Sequence, residues 1–443
     1  MRLWLLLLLL VPISAQELRT AAAHAAELGR ARAEDVLKDI SALVRCGTRH
    51  TLSSRTDKTR GIGAARDYLV TRFNGISAAH DGRLQVEVQT HELPAGPRVP
   101  QGVTLDNVIA TLPGSDPTSC VVVAAHYDSR IEDVLDFTAD APGANDDASG
   151  VAVVLAAAEL LAGTHPRASI LFACYAGEEQ SLLGSAAHAA RLEQAGMQVL
   201  AVLSNDIVGG VRGSSGQREN NVLRVFSEGV PSGPLNASGR PTRTLIGSES
   251  DASSRQLARR VHELALGDSS LLKPRLIFRQ DRFLRGGDHK SFNDLGMAAI
   301  RFTEPHENYE RQHKNVRNVD GQPMGDLVDA LDGEYIAKVA QVNALVAGEL
   351  AAAPAPPRQV RILTAELTPH TELRWEGNAA AKSYAVLLRR THEPYWTERK
   401  AVPTSETKLL LEGYSKDDWL FAVEAVGASG ARSLPVFPSP AQR

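Results

Sequence analysis

The sequence predicts an α/β fold with a mostly parallel central sheet flanked by helices, followed by a small C-terminal all-β sandwich. Three observations predict it. Apolar runs of strand length alternate with helical segments between Cys120 and Phe302. Each run is followed at once by acidic or imidazole residues, as at the carboxyl ends of strands in a doubly wound sheet. The last stretch of roughly 85 residues has short alternating segments and no convincing helix.

The elements follow in order. Residues 17–45, rich in Ala, Glu, Arg and Leu, read as a surface-facing helix. Gly61–Phe73 reads as an amphipathic helix, with Ile62, Ala65, Leu69 and Phe73 at helical spacing. Leu84–Glu92 alternates as a half-buried strand does. Cys120–Ala125 (CVVVAA) is the first strand buried on both faces, and the helix Ser149–Ala162 follows it. Ser169–Ala176 is the second buried strand, then a helix over Ser181–Gln194 and a third strand over Val199–Ser204. A helix near Ser253–Ala265 and a strand over Ala298–Phe302 complete the series. Residues 347–357 are rich in Pro and Ala and read as a linker. Beyond it lie Val360–Leu363, Glu372–Trp375, Ser383–Leu388, Lys408–Leu411 and Trp419–Val426, the pattern of a sandwich of about seven strands. The expected organisation is a leader over 1–15, an α/β domain over 16–346, the linker over 347–357 and the sandwich over 358–443.

A chain of 443 residues is long enough for two folded units. The net charge of -4 is small and gives no reason to expect a nucleic-acid partner. Met1-Arg2, the apolar run Leu3–Val11, Pro12 and the small Ser14-Ala15 form a secretory signal pattern, so a secreted or periplasmic protein is expected. The run is too short to span a bilayer, and no later stretch approaches 18 uninterrupted apolar residues. No membrane association is therefore expected once the signal is removed. Cys46, Cys120 and Cys174 are too few and too far apart for a disulfide framework or a thiolate metal site. Cys120 and Cys174 read as small buried hydrophobes.

The chemistry lies after the strands. His126-Tyr127-Asp128 follows the first, Glu178-Glu179 the second, Asn205-Asp206 the third, and Glu304, His306 and His313 the last. Gly143-Ala144-Asn145-Asp146-Asp147-Ala148-Ser149-Gly150 joins the first strand to its helix, where Ser149 is placed to cap it. Carboxylates crowded together repel one another, and a metal site is the economical explanation. Two His and three carboxylates without a thiol suit a pair of Zn²⁺ ions. Asp128, two residues beyond His126, is placed to accept the spare imidazole N–H.

These segments resemble the co-catalytic zinc aminopeptidases of the MH clan, of the secreted bacterial leucine aminopeptidase type. The resemblance covers roughly residues 100–320 and implies a zinc-exopeptidase fold. Residue by residue it implies His126 as a ligand of one metal, Asp146 as the bridge, Glu179 and Asp206 as further ligands, and Glu178 as general base. The last ligand maps to His313, with His306 as the competing candidate. Asp288-His289 and Phe292 resemble a supporting motif. Several family members have a Tyr directly before the last His, where this chain has Gln312, with Tyr309 three residues away. The implied substrate is a peptide with a free amino terminus.

Three other readings share these residues. A glutaminyl-peptide cyclase of the same fold lines its pocket with Trp, whereas Trp4, Trp375, Trp396 and Trp419 all lie outside the catalytic stretch. A carboxypeptidase or dipeptidase needs a cation for a substrate carboxylate, and Arg282, Arg285 and Arg301 are at hand. A non-catalytic binding protein would be expected to have lost ligands or the base. The tail resembles a fibronectin type III-like domain. Nothing in the sequence bears on oligomeric state.

Overall fold

The computed structural model describes residues 31–232 and 239–441. The expected leader and the first part of the helix expected over 17–45 lie outside the described residues. Eight strands form one sheet: β1 (Gln85–Leu93), β2 (Val103–Leu112), β3 (Asp116–His126), β4 (Ala168–Tyr175), β5 (Gln198–Asn205), β6 (Val222–Ser227), β7 (Lys273–Ile277) and β8 (Ala299–Thr303). Their order is β1-β2-β4-β3-β5-β8-β6-β7.

The four central strands β4, β3, β5 and β8 run parallel. The flanks bring antiparallel pairings, β1 with β2, β2 with β4, and β6 with β8. The sequence pattern misses β2, β6 and β7. For β2 the physical reason is visible. Asp106 and Asn107 interrupt its apolar run, yet both are buried because tertiary partners satisfy them. Asp106 takes Arg55, Arg66 and Thr90, and Asn107 bonds the main chain at Gly184 and Ala176.

The helix Ala148–Leu161 is apolar nearly all round because it is covered on every side. It packs on β3 and between the helices Ala33–Val44 and Gly333–Ala352. The last of these helices corrects the expected linker. It runs through Ala347 to Ala352, capped at its start by Asp332 accepting the Tyr335 N–H, so only residues 353–357 connect the two units. That connector is packed, since the Arg167 side chain donates to the Ala353 carbonyl. A short hairpin, β9 (Arg317–Val319) and β10 (Gln322–Met324), follows His313. No helix among the described residues is long and apolar enough to cross a membrane. Cys46, Cys120 and Cys174 are all free and buried.

The C-terminal unit has seven strands among the described residues: β11 (Arg358–Leu363), β12 (Thr371–Glu376), β13 (Ser383–Arg390), β14 (Glu398–Pro403), β15 (Lys408–Leu411), β16 (Trp419–Val426) and β17 (Ser439–Ala441). They form two sheets, β15-β12-β11-β17 and β14-β13-β16, closed over Leu373, Trp375, Tyr384, Val386, Phe421 and Val423.

The sandwich docks on the helix Ser253–Leu266 through buried charge. Arg260 pairs with Glu424, Arg399 Nη1 lies 2.5 Å from the same carboxylate, and Arg432 lies 2.6 Å from Glu263. Asp251 holds Arg259 at 2.8 Å and Arg389 at 2.7 Å. Trp396 donates to Gln256, and Tyr395 stacks on His262 with ring centroids 4.5 Å apart. Trp396 is therefore a junction residue, neither sandwich core nor free surface. Removing one partner from a buried ion network leaves the others uncompensated. Glu424→Ala is expected to cost about 3–5 kcal/mol, read as a lowered unfolding midpoint. A midpoint equal to wild type would show that the network carries no such load.

Candidate metal centre

Because β4, β3, β5 and β8 are parallel neighbours, their carboxyl ends share one edge of the sheet. β3 ends on His126, β4 leads into Glu178-Glu179, and β5 leads into Asp206. Asp146 arrives from the loop before the helix Ala148–Leu161, and His313 from the loop after β8.

Two groups of potential ligands result. His126, Asp146 and Asp206 offer atoms within 4.8 Å of one another, and so do Asp146, Glu179 and His313. Asp146 belongs to both. Its Oδ1 lies 3.1 Å from His126 Nε2, and its Oδ2 lies 2.8 Å from His313 Nε2. Glu179 Oε1 is 2.9 Å from His313 Nε2, and Asp206 Oδ1 is 3.9 Å from His126 Nε2. Glu178 belongs to neither group, with Oε2 4.0 Å from His126 Nε2 and its side chain 13% exposed. All five residues read as ligands are thus brought together, with Glu178 beside them. His306 is not. It lies 3.4 Å from Glu219 and belongs to neither ligand group.

A divalent cation fits this set. His126 Nε2 and Glu179 Oε1 are buried without a hydrogen-bond partner, one in each group. Buried polar atoms left so are costly unless a donor or cation meets them. A mixture of imidazole and carboxylate without thiolate suits zinc.

Asp128 does more than the sequence suggests. His126 Nδ1 faces the main-chain oxygen of Asp128 at 3.2 Å, with the carboxylate at 3.4 Å. The carboxylate accepts the N–H groups of Glu178 and Glu179 and the Thr51 hydroxyl. It therefore fixes the turn that presents the Glu pair. The expected cap at Ser149 is corrected to Asp147, whose Oδ1 accepts the Gly150 N–H at 2.9 Å. Ser149 Oγ instead donates to Asn145 and accepts from Val208. Gly150 is required there, because a Cβ would lie 2.5 Å from both Asp147 oxygens. The Asp146–Asp147 peptide bond is cis.

Several residues at the centre carry no sequence motif. Asp326 accepts the N–H groups of Asn145 at 2.7 Å and Asp146 at 2.8 Å. Arg49, fully buried, donates to the carbonyls of Tyr127, Pro142 and Gly143. Arg301 Nη1 lies 2.5 Å from Asp206 Oδ2, and Arg130 Nε lies 2.7 Å from Glu179 Oε2. Only Arg301 leaves a signal, as a charge inside the buried run of β8. Gln312 donates to Asp146 Oδ2 at 3.1 Å, whereas Tyr309 is exposed along an open groove of about 560 Å³ beside Arg130, Arg285 and His313.

Burial works against a charged His126, but Glu178, Asp128 and Asp146 outweigh it and raise its pKa. Burial raises the Glu178 carboxyl well above the usual range; His126 opposes this, and Glu179, Asp206 and Asp288 add to it. Burial likewise pushes Asp288 up to about 7. Glu179 goes the other way, to about 2, because His313 and Arg130 outweigh its burial.

A profile of peptidase family M28 matches residues 107–331. The chain is 41% identical over 423 residues to a probable zinc metalloprotease of Pyricularia oryzae, covering 94% of this chain and 84% of that protein. It is 42% identical over 405 residues to one of Leptosphaeria maculans, covering 90% and 93%. Among solved structures it is similar to LapB from Legionella pneumophila, with TM-score 0.53 and 17% identity over 74% of this chain and 75% of that one. It is also similar to the LapA aminopeptidase of the same organism, with TM-score 0.51 and 19% identity over 75% of each chain. At these identities the two structures speak for the fold alone. From the profile match and the near-full-length relatives, the chain belongs to peptidase family M28, a family of zinc-dependent metallopeptidases.

Proposed function

We propose that the chain is an aminopeptidase that holds two zinc ions and releases amino-terminal residues from peptides, with Glu178 as general base. The observation that carries this reading is Asp146, whose two oxygens face two separate ligand groups while Glu178 stands outside both. His126, Asp146 and Asp206 would hold one ion, and Asp146, Glu179 and His313 the other. Zinc in such a site supplies Lewis acidity toward a carbonyl and lowers the pKa of water. Glu178 takes a proton from the attacking water and returns it to the leaving amine. Its place beside both ligand groups, yet outside them, suits a group that must accept the proton and hold it between the two transfers. Asp128 keeps Glu178 in place through the main chain.

The rival enzymes find less support. Among the described residues, the three Trp side chains all belong to the sandwich and its junction, so none lines the groove as in a cyclase. Of the cations that a carboxypeptidase would need, Arg301 is held by Asp206, Arg282 by Asp281 and Glu307, and Arg285 by Glu307. The signal-like pattern of Met1–Ala15 supports export to a secreted or periplasmic location.

Two measurements test the reading. Glu178→Gln is expected to lower hydrolysis of aminoacyl anilides by roughly 10²- to 10⁴-fold with zinc content unchanged, and N-acetylated substrates are expected to resist the wild type. Hydrolysis by the variant at wild-type rate, or equal cleavage of blocked peptides, would sink it. Asp326→Ala frees the loop that presents Asp146, so zinc affinity is expected to weaken by about 10- to 100-fold in chelator competition. Undiminished affinity would remove Asp326 from the site's support.

A further inference from the structure

The open groove of about 560 Å³ beside His313 is walled by three cations, Arg130, Arg285 and Lys314, and one carboxylate, Glu132. Lys314 pairs with Glu132 at 3.2 Å, and Arg130 with Glu179 at 2.7 Å. Arg285 is differently placed. Its Nη1 lies 2.8 Å from Glu307, but that carboxylate also meets Arg224 at 3.0 Å and Arg282 at 3.2 Å. Arg282 reaches on to Asp281 at 3.1 Å, Asp281 lies 3.6 Å from Arg301, and Arg301 grips Asp206. The four guanidiniums of Arg224, Arg282, Arg285 and Arg301 thus share the three carboxylates of Glu307, Asp281 and Asp206, and Asp206 is a candidate metal ligand. Glu307 therefore holds Arg285 in place without cancelling its charge. Arg285 is also the most open of the four, 33% exposed against 18% for Arg224, 9% for Arg282 and 0% for Arg301.

The turn that carries Arg285 is braced. Its N–H bonds the Arg282 carbonyl at 3.1 Å, Leu284 takes the left-handed conformation at φ 58°, and the Arg282 side chain donates to the Gly286 carbonyl at 3.1 Å. Two residues beyond Arg285 the chain is against the centre itself, since a Cβ on Gly287 would lie 3.3 Å from Asp206 Oδ2. A peptide held at the centre and extending along the groove therefore passes a fixed, partly exposed guanidinium with charge to spare. Such a surplus in a concave wall attracts the opposite charge, and a planar guanidinium suits a carboxylate.

We propose that Arg285 is a substrate-binding residue of this groove and favours peptides that carry a carboxylate close to the scissile bond, on an Asp or Glu side chain or at the free terminus of a short peptide. The proposal rests on the aminopeptidase reading of the centre. The carboxylate aids binding and is not required for cleavage, so the demand for a free amino terminus stays as it is.

The test is steady-state hydrolysis, by the zinc-loaded full chain, of substrate pairs that differ only in a carboxylate: Leu-Asp-amide against Leu-Asn-amide, Asp-Gly-amide against Asn-Gly-amide, and Leu-Gly against Leu-Gly-amide. The first two pairs place it on a side chain after or before the scissile bond and the third at the terminus, so the pair that responds identifies the source. In wild type the acidic member of at least one pair is expected to show a KM lower by roughly 3- to 10-fold, a difference that narrows as salt is raised. Arg285→Gln is expected to remove the difference, read as the ratio of KM values within the pair, and Arg285→Lys to keep part of it. The salt series on wild type decides the matter if Arg285→Gln fails to fold. Equal KM values in every pair, a ratio indifferent to salt, or a ratio kept in Arg285→Gln overturns the role of Arg285 and leaves the aminopeptidase reading standing. No hydrolysis of any of these substrates overturns that reading, and this role with it.

Discussion

The constraint on which the structure depends is the crowding of buried carboxylates at one edge of the sheet. Asp128, Asp146, Asp147, Glu179 and Asp206 are buried there, with Glu178 almost so and Asp326 underneath. Like charges this close in a poorly solvated place cannot all ionise without compensation. The compensation divides them into two kinds. Asp128, Asp147 and Asp326 have both oxygens taken by main-chain N–H groups: those of Glu178 and Glu179, of Gly150, Ile207 and His126, and of Asn145 and Asp146. These three are spent on shaping the loops. Glu179 and Asp206 each give one oxygen to an arginine and keep the other turned toward a histidine. Those are the carboxylates with something left to offer a cation.

The backbone around the centre carries the cost of this arrangement. Ile207 and His313 both lie in the left-handed region, at φ 58° and 56°. For a β-branched residue such as Ile207 that conformation is unfavourable by one to a few kcal/mol. It persists because its N–H is held by Asp147 and its carbonyl receives the Glu304 N–H and the Thr303 hydroxyl. The twist turns the chain directly after Asp206, so a carboxylate that lies outside the ligand set stabilises the aim of one that lies inside it.

The residues legible in the sequence are those set by local pattern. CVVVAA and SILFACYA announce buried parallel strands, and the residues just beyond such strands fall at one edge by topology alone. His126, Asp146, Glu178, Glu179 and Asp206 can therefore be grouped from the sequence. His313 against His306 is not decidable that way, since both sit in one long loop and only tertiary contact turns His306 to Glu219. Arg49, Arg130 and Asp326 are invisible for a related reason. Each acts from a loop with no period and no motif, over sequence separations of 49 residues or more. The end of the helix Gly333–Ala352 is lost for the opposite reason: its Ala-rich stretch resembles a linker until the chain around it buries it.

The sandwich bears on the centre through the helix Ser253–Leu266. Ser253–Leu266 carries Arg259, Arg260 and Glu263, the groups that hold the sandwich. Its first turn carries Ser254, whose hydroxyl accepts from Asn293 Nδ2 at 3.1 Å and from the Ala299 N–H at 3.2 Å. Ala299 opens β8, and two residues along that strand Arg301 grips Asp206. Asn293 ends the short helix that begins at His289, next to Asp288. The sandwich, the helix, β8 and a candidate ligand are thus joined by buried polar contacts. Because packed interiors have little compliance, fixing the helix from outside also fixes the strand that orients Asp206. A tail joined by a free tether could have been a mere spacer; one joined through Arg260 and Glu424 is part of the frame that holds the metal centre in register.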